Sequence, residues 1–125
     1  ENAKKRIPIK RSAELTYGIR NFVGNAVKFS KKNIYINLVS NNQNTILQIS
    51  DDGPGFPDDI YKIIGEPYIT TKSKKLRSKA GLGLGTFIGK TLLEKNFATV
   101  KFNNSEYTGG AEVTIEWKDR DLKKI

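Results

Sequence analysis

Neither cysteine nor histidine occurs in the 125 residues. Without cysteine there is no disulfide framework, no thiol nucleophile and no thiolate-held zinc, and without histidine there is no imidazole base and no imidazole metal ligand. Acidic side chains are also scarce beside basic ones: 13 Asp and Glu against 22 Lys and Arg, a net charge of +9. Such a field favours polyanions, whether nucleic acid, an acidic lipid surface or a nucleotide, and is equally compatible with a merely solvated basic surface. Long apolar runs are missing as well. None approaches the roughly 20 residues of a membrane span, and the basic start at residues 1–10 has no signal-peptide core, so the expectation is a chain that does not enter a bilayer. What remains for chemistry is carboxylates, lysines, hydroxyls, amides and glycine-rich backbone, a set suited to phosphates and to hard cations such as magnesium.

With 37% apolar and 28% charged residues, the composition is that of a globular chain, and its length fits one domain over residues 1–125. Residues 1–11 are basic and contain Pro8, which reads as an extended lead-in with a short strand at residues 6–10. Ser12 can cap a helix over residues 13–30, because Leu15, Ile19, Phe22, Val23, Ala26 and Phe29 recur at helical steps. Ile34, Ile36 and Leu38 alternate up to a polar turn at residues 41–44, and Leu47 and Ile49 alternate towards Asp51, which predicts two antiparallel strands. Pro57 can open a short helix through Ile64, stopped by Gly65, before a basic loop at residues 66–80. Helical periodicity returns over residues 82–95. Strands are predicted at 99–103 and 111–117, around a turn at 105–110, with a charged tail at 118–125. This order implies an α/β (α+β) two-layer sandwich, with a mostly antiparallel mixed sheet and helices on one face.

Three constellations stand out. Asn21, Asn25 and Lys28 fall within about 60° of one another on the first helix, away from its apolar set, as a stripe able to hold magnesium and touch phosphates. An ordinary solvated helix face has the same pattern. Asp51-Asp52-Gly53-Pro54-Gly55 follows a strand, where a carboxylate can accept from an exocyclic amine and glycines admit a flat ring; a plain turn uses the same residues. Gly81-Leu82-Gly83-Leu84-Gly85 opens a helix and can expose backbone N–H groups to a phosphate, or serve only as a hinge.

Taken together and in order, these segments resemble the ATP-binding domain of bacterial sensor histidine kinases, in the superfamily with gyrase, Hsp90 and MutL. Residues 21–30 resemble its N box, residues 51–55 its G1 box, residues 67–72 its F box and residues 81–85 its G2 box, over a span from about Arg11 to Trp117. The wording at residues 65–68 and 85–95 is similar to the RegB/PrrB-like redox-responsive kinases. The resemblance implies a Bergerat-type ATP-binding fold in which Asp51, with Gly53 and Gly55, takes the adenine amino group. Asn25 would hold Mg²⁺, Lys28 would reach phosphate, and Asn21 would stand where hydrolytic relatives carry a glutamate base. Residues 58–80 would form an ATP lid with Thr71 and Lys72 in the F box, and Gly81, Leu82, Gly83, Leu84 and Gly85 would form its hinge.

The implied activity is transfer of the γ-phosphate of ATP to a histidine on a separate dimerisation domain of a homodimeric parent kinase. A response regulator would be the indirect partner, no nucleic acid is expected, and the location implied is cytoplasmic, in a parent that can itself be membrane-anchored. Two other readings are an anti-sigma-type serine kinase of the same fold and a basic nucleic-acid-binding module. Asp52 departs from the asparagine common after the G1 aspartate. The residue bordering the adenine water network stays open between Glu112 and Thr114.

Overall fold

A computed structural model describes residues 12–56, 85–122 and 124. Helix α1 spans Ala13–Phe29, strands β1 and β2 span Ile34–Ser40 and Asn44–Asp51, and helix α2 spans Gly85–Lys95. Strands β3 and β4 follow at Thr99–Asn104 and Ala111–Lys118, and a single helical turn, α3, at Asp119–Leu122.

Local chemistry sets the limits of α1. Ser12 is in an extended conformation and its Oγ accepts from the Leu15 N–H at 3.2 Å, while Glu14 and Lys28 complement the helix dipole in the first and last turns. The β1–β2 turn is built on Asn41, whose Oδ1 accepts from the N–H groups of Gln43 and Asn44, with Asn42 in the left-handed region that asparagine tolerates.

The strands form one sheet in the order β1-β2-β4-β3, and all three pairings among the described residues are antiparallel. The register sets Ile36 against Ile49, Leu47 against Ile115 and Val100 against Ile115. Phe22 and Ala26 of α1 and Leu93 of α2 are buried in one cluster with Ile49, Val100, Val113, Ile115 and Trp117 from the sheet. By strand alternation Glu112, Thr114 and Glu116 stand on the opposite face. The two helices run in opposite senses: Glu14 at the start of α1 binds Lys95 at the end of α2 and Asn96 just after it, while Asn25 near the end of α1 meets Thr86 at the start of α2.

One strand is unevenly covered, and one expectation changes. Ile36 and Leu38 share the inward face of β1 with Ile34, yet Leu38 is 69% exposed, because β1 is an outer strand and, of these three, only Ile34 reaches the core cluster. The stretch read as a charged tail instead turns into α3, which buries Leu122 to 3% exposure and lets the Asp119 carboxylate accept from Thr45 Oγ1 at 2.7 Å. The strand at residues 6–10, the short helix at 57–64 and the loop at 66–80 lie outside the described residues.

Candidate functional site

Asp51 is the last residue of β2 and is only 3% exposed. Its Oδ1 accepts from the Gly53 N–H at 2.8 Å and the Ala111 N–H at 3.4 Å. That leaves Oδ2 without a hydrogen bond among the described residues, as the acceptor available to a ligand. The backbone comes this close only because Gly110 lacks a side chain: a Cβ there would collide with the Asp51 carbonyl and Oδ1. A Cβ at Gly53 would likewise strike the Phe29 carbonyl, so the turn after β2 lies directly on the end of α1.

In front of Asp51 opens a pocket enclosing about 360 Å³, its solvent-facing part included. Phe22, Ala26 and Phe29 of α1, Ile49, Phe56, Phe102 and Val113 give it apolar walls, and Asn25, Asp51 and Thr86 supply polar side chains. A flat, largely apolar ring carrying a hydrogen-bond donor suits this lining.

Asn25 donates from Nδ2 to the buried Thr86 Oγ1 at 3.3 Å, which orients the amide and leaves Oδ1 as a hard oxygen that could serve as a ligand. Asn21, one turn earlier, packs its amide against the backbone of Gly85, where a Cβ would have no room, and its Oδ1 is buried with no hydrogen-bond partner in the described structure. Lys28 is exposed at the rim, its ammonium 5.3 Å from the ring centroid of Phe29, which lines the pocket. The described residues contain no group of three carboxylate, histidine or cysteine ligands that could hold a metal ion by itself. The donor set fits a cation held by Asn25 Oδ1 together with oxygens of a bound phosphate, the usual arrangement for magnesium.

The structure therefore brings Asp51, Gly53, Asn25, Asn21 and Gly85 around one end of the sheet, with Lys28 at the edge and Gly55 in the adjoining turn. Thr71, Lys72, Gly81, Leu82, Gly83 and Leu84 lie outside the described residues. The choice between Glu112 and Thr114 is corrected to neither: β4 alternates, and it is Ala111 and Val113 that line the pocket, with the Ala111 N–H on Asp51. Asp52 does not face the pocket either. Its carboxylate accepts from the backbone N–H groups of Lys31, Lys32 and Asn33 at 2.7–3.2 Å and so ties the α1–β1 loop to the turn. Partial burial pushes its carboxyl up, but these backbone donors outweigh that and hold it below the ordinary carboxylate range.

Sequence reasoning missed Thr86 and Ala111 as members of the site. Gly109-Gly110 ahead of a strand, which also fits the family pattern, was the available signal for Ala111. Nothing local marks Thr86, whose role depends on α2 meeting α1.

Residues 11–121 match the family described as histidine kinase-, DNA gyrase B-, and HSP90-like ATPase. The chain is 35% identical over 102 residues to the sensor histidine kinase RegB of Cereibacter sphaeroides, a match covering 78% of this chain and 22% of that protein. It is 31% identical over 104 residues to the sensor protein kinase PilS of Pseudomonas aeruginosa, covering 78% of this chain and 18% of PilS. The chain thus spans about a fifth of the length of these curated relatives. Among solved structures, a mycobacterial sensor histidine kinase, MprB, superposes with a TM-score of 0.69 at 25% identity, over 88% of this chain and 75% of that one. Full-length ShkA in complex with AMPPNP superposes with a TM-score of 0.62 at 26% identity, over 83% of this chain and 21% of that one.

Proposed function

This chain belongs to the histidine kinase-, DNA gyrase B- and HSP90-like ATPase family, and we propose on that footing that it binds Mg-ATP and donates the γ-phosphoryl group to a histidine on a separate dimerisation domain. The observation that carries the reading is the meeting, at one apolar pocket, of the Asp51 carboxylate, steadied by two backbone N–H groups, with the Asn25 amide on α1. Asp51 accepts the adenine amino group, and Gly53 and Gly110 let the neighbouring backbone pack closely enough to hold its carboxylate. Asn25 holds Mg²⁺ through Oδ1, oriented by Thr86, and Lys28 stands where an ammonium can meet phosphate. When bound, Mg-ATP supplies an activated phosphoryl group, and the chain contributes position and charge neutralisation rather than a nucleophile.

Asn21 bears on the outcome. An amide has no basic lone pair with which to activate water, and its carbonyl oxygen is buried against the start of α2. Slow hydrolysis and transfer to an acceptor follow from that chemistry. The acceptor must come from elsewhere, since no histidine occurs in the sequence. The named relatives that are sensor kinases support a histidine-bearing domain of the parent as that acceptor, with a response regulator downstream.

Titration calorimetry with Mg-ADP tests binding. Labelled ATP, mixed with this chain and a dimerisation domain from its parent, should give acid-labile phosphohistidine on the second protein. Acid-stable phosphoserine on a partner would favour a serine kinase of the same fold, and rapid phosphate release from the chain alone would refute the transfer reading.

A further inference from the structure

One wall of the nucleotide pocket is held from outside the pocket. Phe56 leaves the turn after β2 in irregular backbone, yet a single side chain grips that backbone on both sides. The Phe56 N–H donates to Asn104 Oδ1 at 2.7 Å, and Asn104 Nδ2 donates to the Phe56 carbonyl at 3.1 Å. A primary amide that accepts from and donates to the same residue reproduces a rung of a β-ladder where no strand is present. Asn104 is the last residue of β3, 48 positions further along the chain. Gly55 makes the approach possible: it has φ +79°, and a Cβ there would lie 2.8 Å from Asn104 Oδ1.

Held in this way, the Phe56 ring meets Phe102 edge to face, with centroids 6.1 Å apart, and Phe102 meets Phe22 similarly at 5.7 Å. All three rings line the pocket, whereas Asn104 does not. We propose that Asn104 is a positioning residue for nucleotide binding: its amide fixes Phe56, and through Phe56 it sets the affinity for a flat purine ring without touching the ligand. The inference rests on the nucleotide reading above. Because Asn104 is exposed, its polar partners find water when it is removed, so the effect falls more on ligand binding than on the fold.

A double-mutant cycle measured by calorimetry with Mg-ADP tests it, using the unaltered chain, Asn104→Ala, Phe56→Ala and the double variant. Asn104→Ala should weaken Mg-ADP about tenfold, the size expected from two neutral hydrogen bonds, and should add less than twofold once Phe56 is already alanine. Asn104→Asp keeps the acceptor for the Phe56 N–H but sets an oxygen against the Phe56 carbonyl, so its affinity should fall with the alanine variant rather than with the unaltered chain. Affinity for Mg-triphosphate, which has no base, should stay the same in all four chains. Should Asn104→Ala lose cooperative thermal unfolding, Asn104→Ser carries the same cycle. Unchanged Mg-ADP affinity in Asn104→Ala, or full additivity with Phe56→Ala, would overturn the clamp and leave the nucleotide reading standing. Failure of the unaltered chain to bind Mg-ADP would overturn both.

Discussion

Replacing Asp51 by asparagine exchanges one oxygen of a buried carboxylate for an amino group and changes little else. Asp51 Oδ1 already serves the N–H groups of Gly53 and Ala111, so the variant amide must turn its only oxygen towards them. Its Nδ2 then takes the place of the carboxylate oxygen offered to the ligand, setting a donor against the donating amino group of adenine. What is lost is one charge-assisted hydrogen bond, about 1.5–3 kcal/mol, which corresponds to roughly a tenfold to hundredfold weaker Kd. The backbone contacts survive as neutral hydrogen bonds, so thermal stability should fall less than in a variant that removes the acceptor. Asp51→Ala, by contrast, strips both N–H groups of their acceptor and should cost about 1–3 kcal/mol of folding stability as well. Calorimetry with Mg-ADP, paired with thermal melts of both variants, separates the two effects. An Asp51→Asn chain that binds with undiminished affinity would refute the assignment of Asp51 to the adenine.

Asn25→Ala should lower affinity for Mg-ADP several-fold while leaving metal-free ADP nearly unchanged, as titrations with and without magnesium will tell. Asp52→Asn should destabilise the chain at neutral pH. The Asp52 carboxyl is held low when folded, so its contribution is fully present above the unfolded pKa near 4 and is lost as pH falls through the folded value; urea melts from pH 7 to pH 3 should show the two chains converging at the acid end. Leu122→Ala should cost about 2–5 kcal/mol of stability in denaturant titrations, because the side chain is buried in the core, with Mg-ADP affinity of the folded chain unaltered.

Periodicity was most legible where one face of an element is wholly committed to the core. Leu15, Ile19, Phe22 and Ala26 gave α1 to within a residue of its end, and Val113, Ile115 and Trp117 gave β4. Ile34, Ile36 and Leu38 carry the same pattern, but a pattern names a face and not what covers it, and on an outer strand the cover runs out after Ile34. In residues 118–122, one leucine among charges offers no period at all, and its burial depends on the end of the sheet it happens to meet. The site divides similarly. Asp51 and Asn25 lie within contiguous motifs, whereas Asp52 answers to the backbone of Lys31 to Asn33 and Asn104 to that of Phe56, contacts that only the folded chain brings together. Glu112 and Thr114 were misplaced by one step of a strand, which is enough to move a side chain from the pocket to the far face.

The Asn41–Asn44 turn lies at the other end of the sheet from Asp51. Along the β1–β2 ladder the Ser40–Thr45 pair is six residues from the Ile34–Asp51 pair, a span of about 20 Å at the rise of an extended strand. Gln43 there is exposed, and no cysteine occurs anywhere in the chain. A single thiol introduced at Gln43 would therefore be chemically unique, and a fluorophore or spin label attached to it would ride on the turn at the far end of the ladder. Tumbling, docking to another domain and distance changes could then be followed optically or by electron resonance, with the reporter well away from the bound nucleotide.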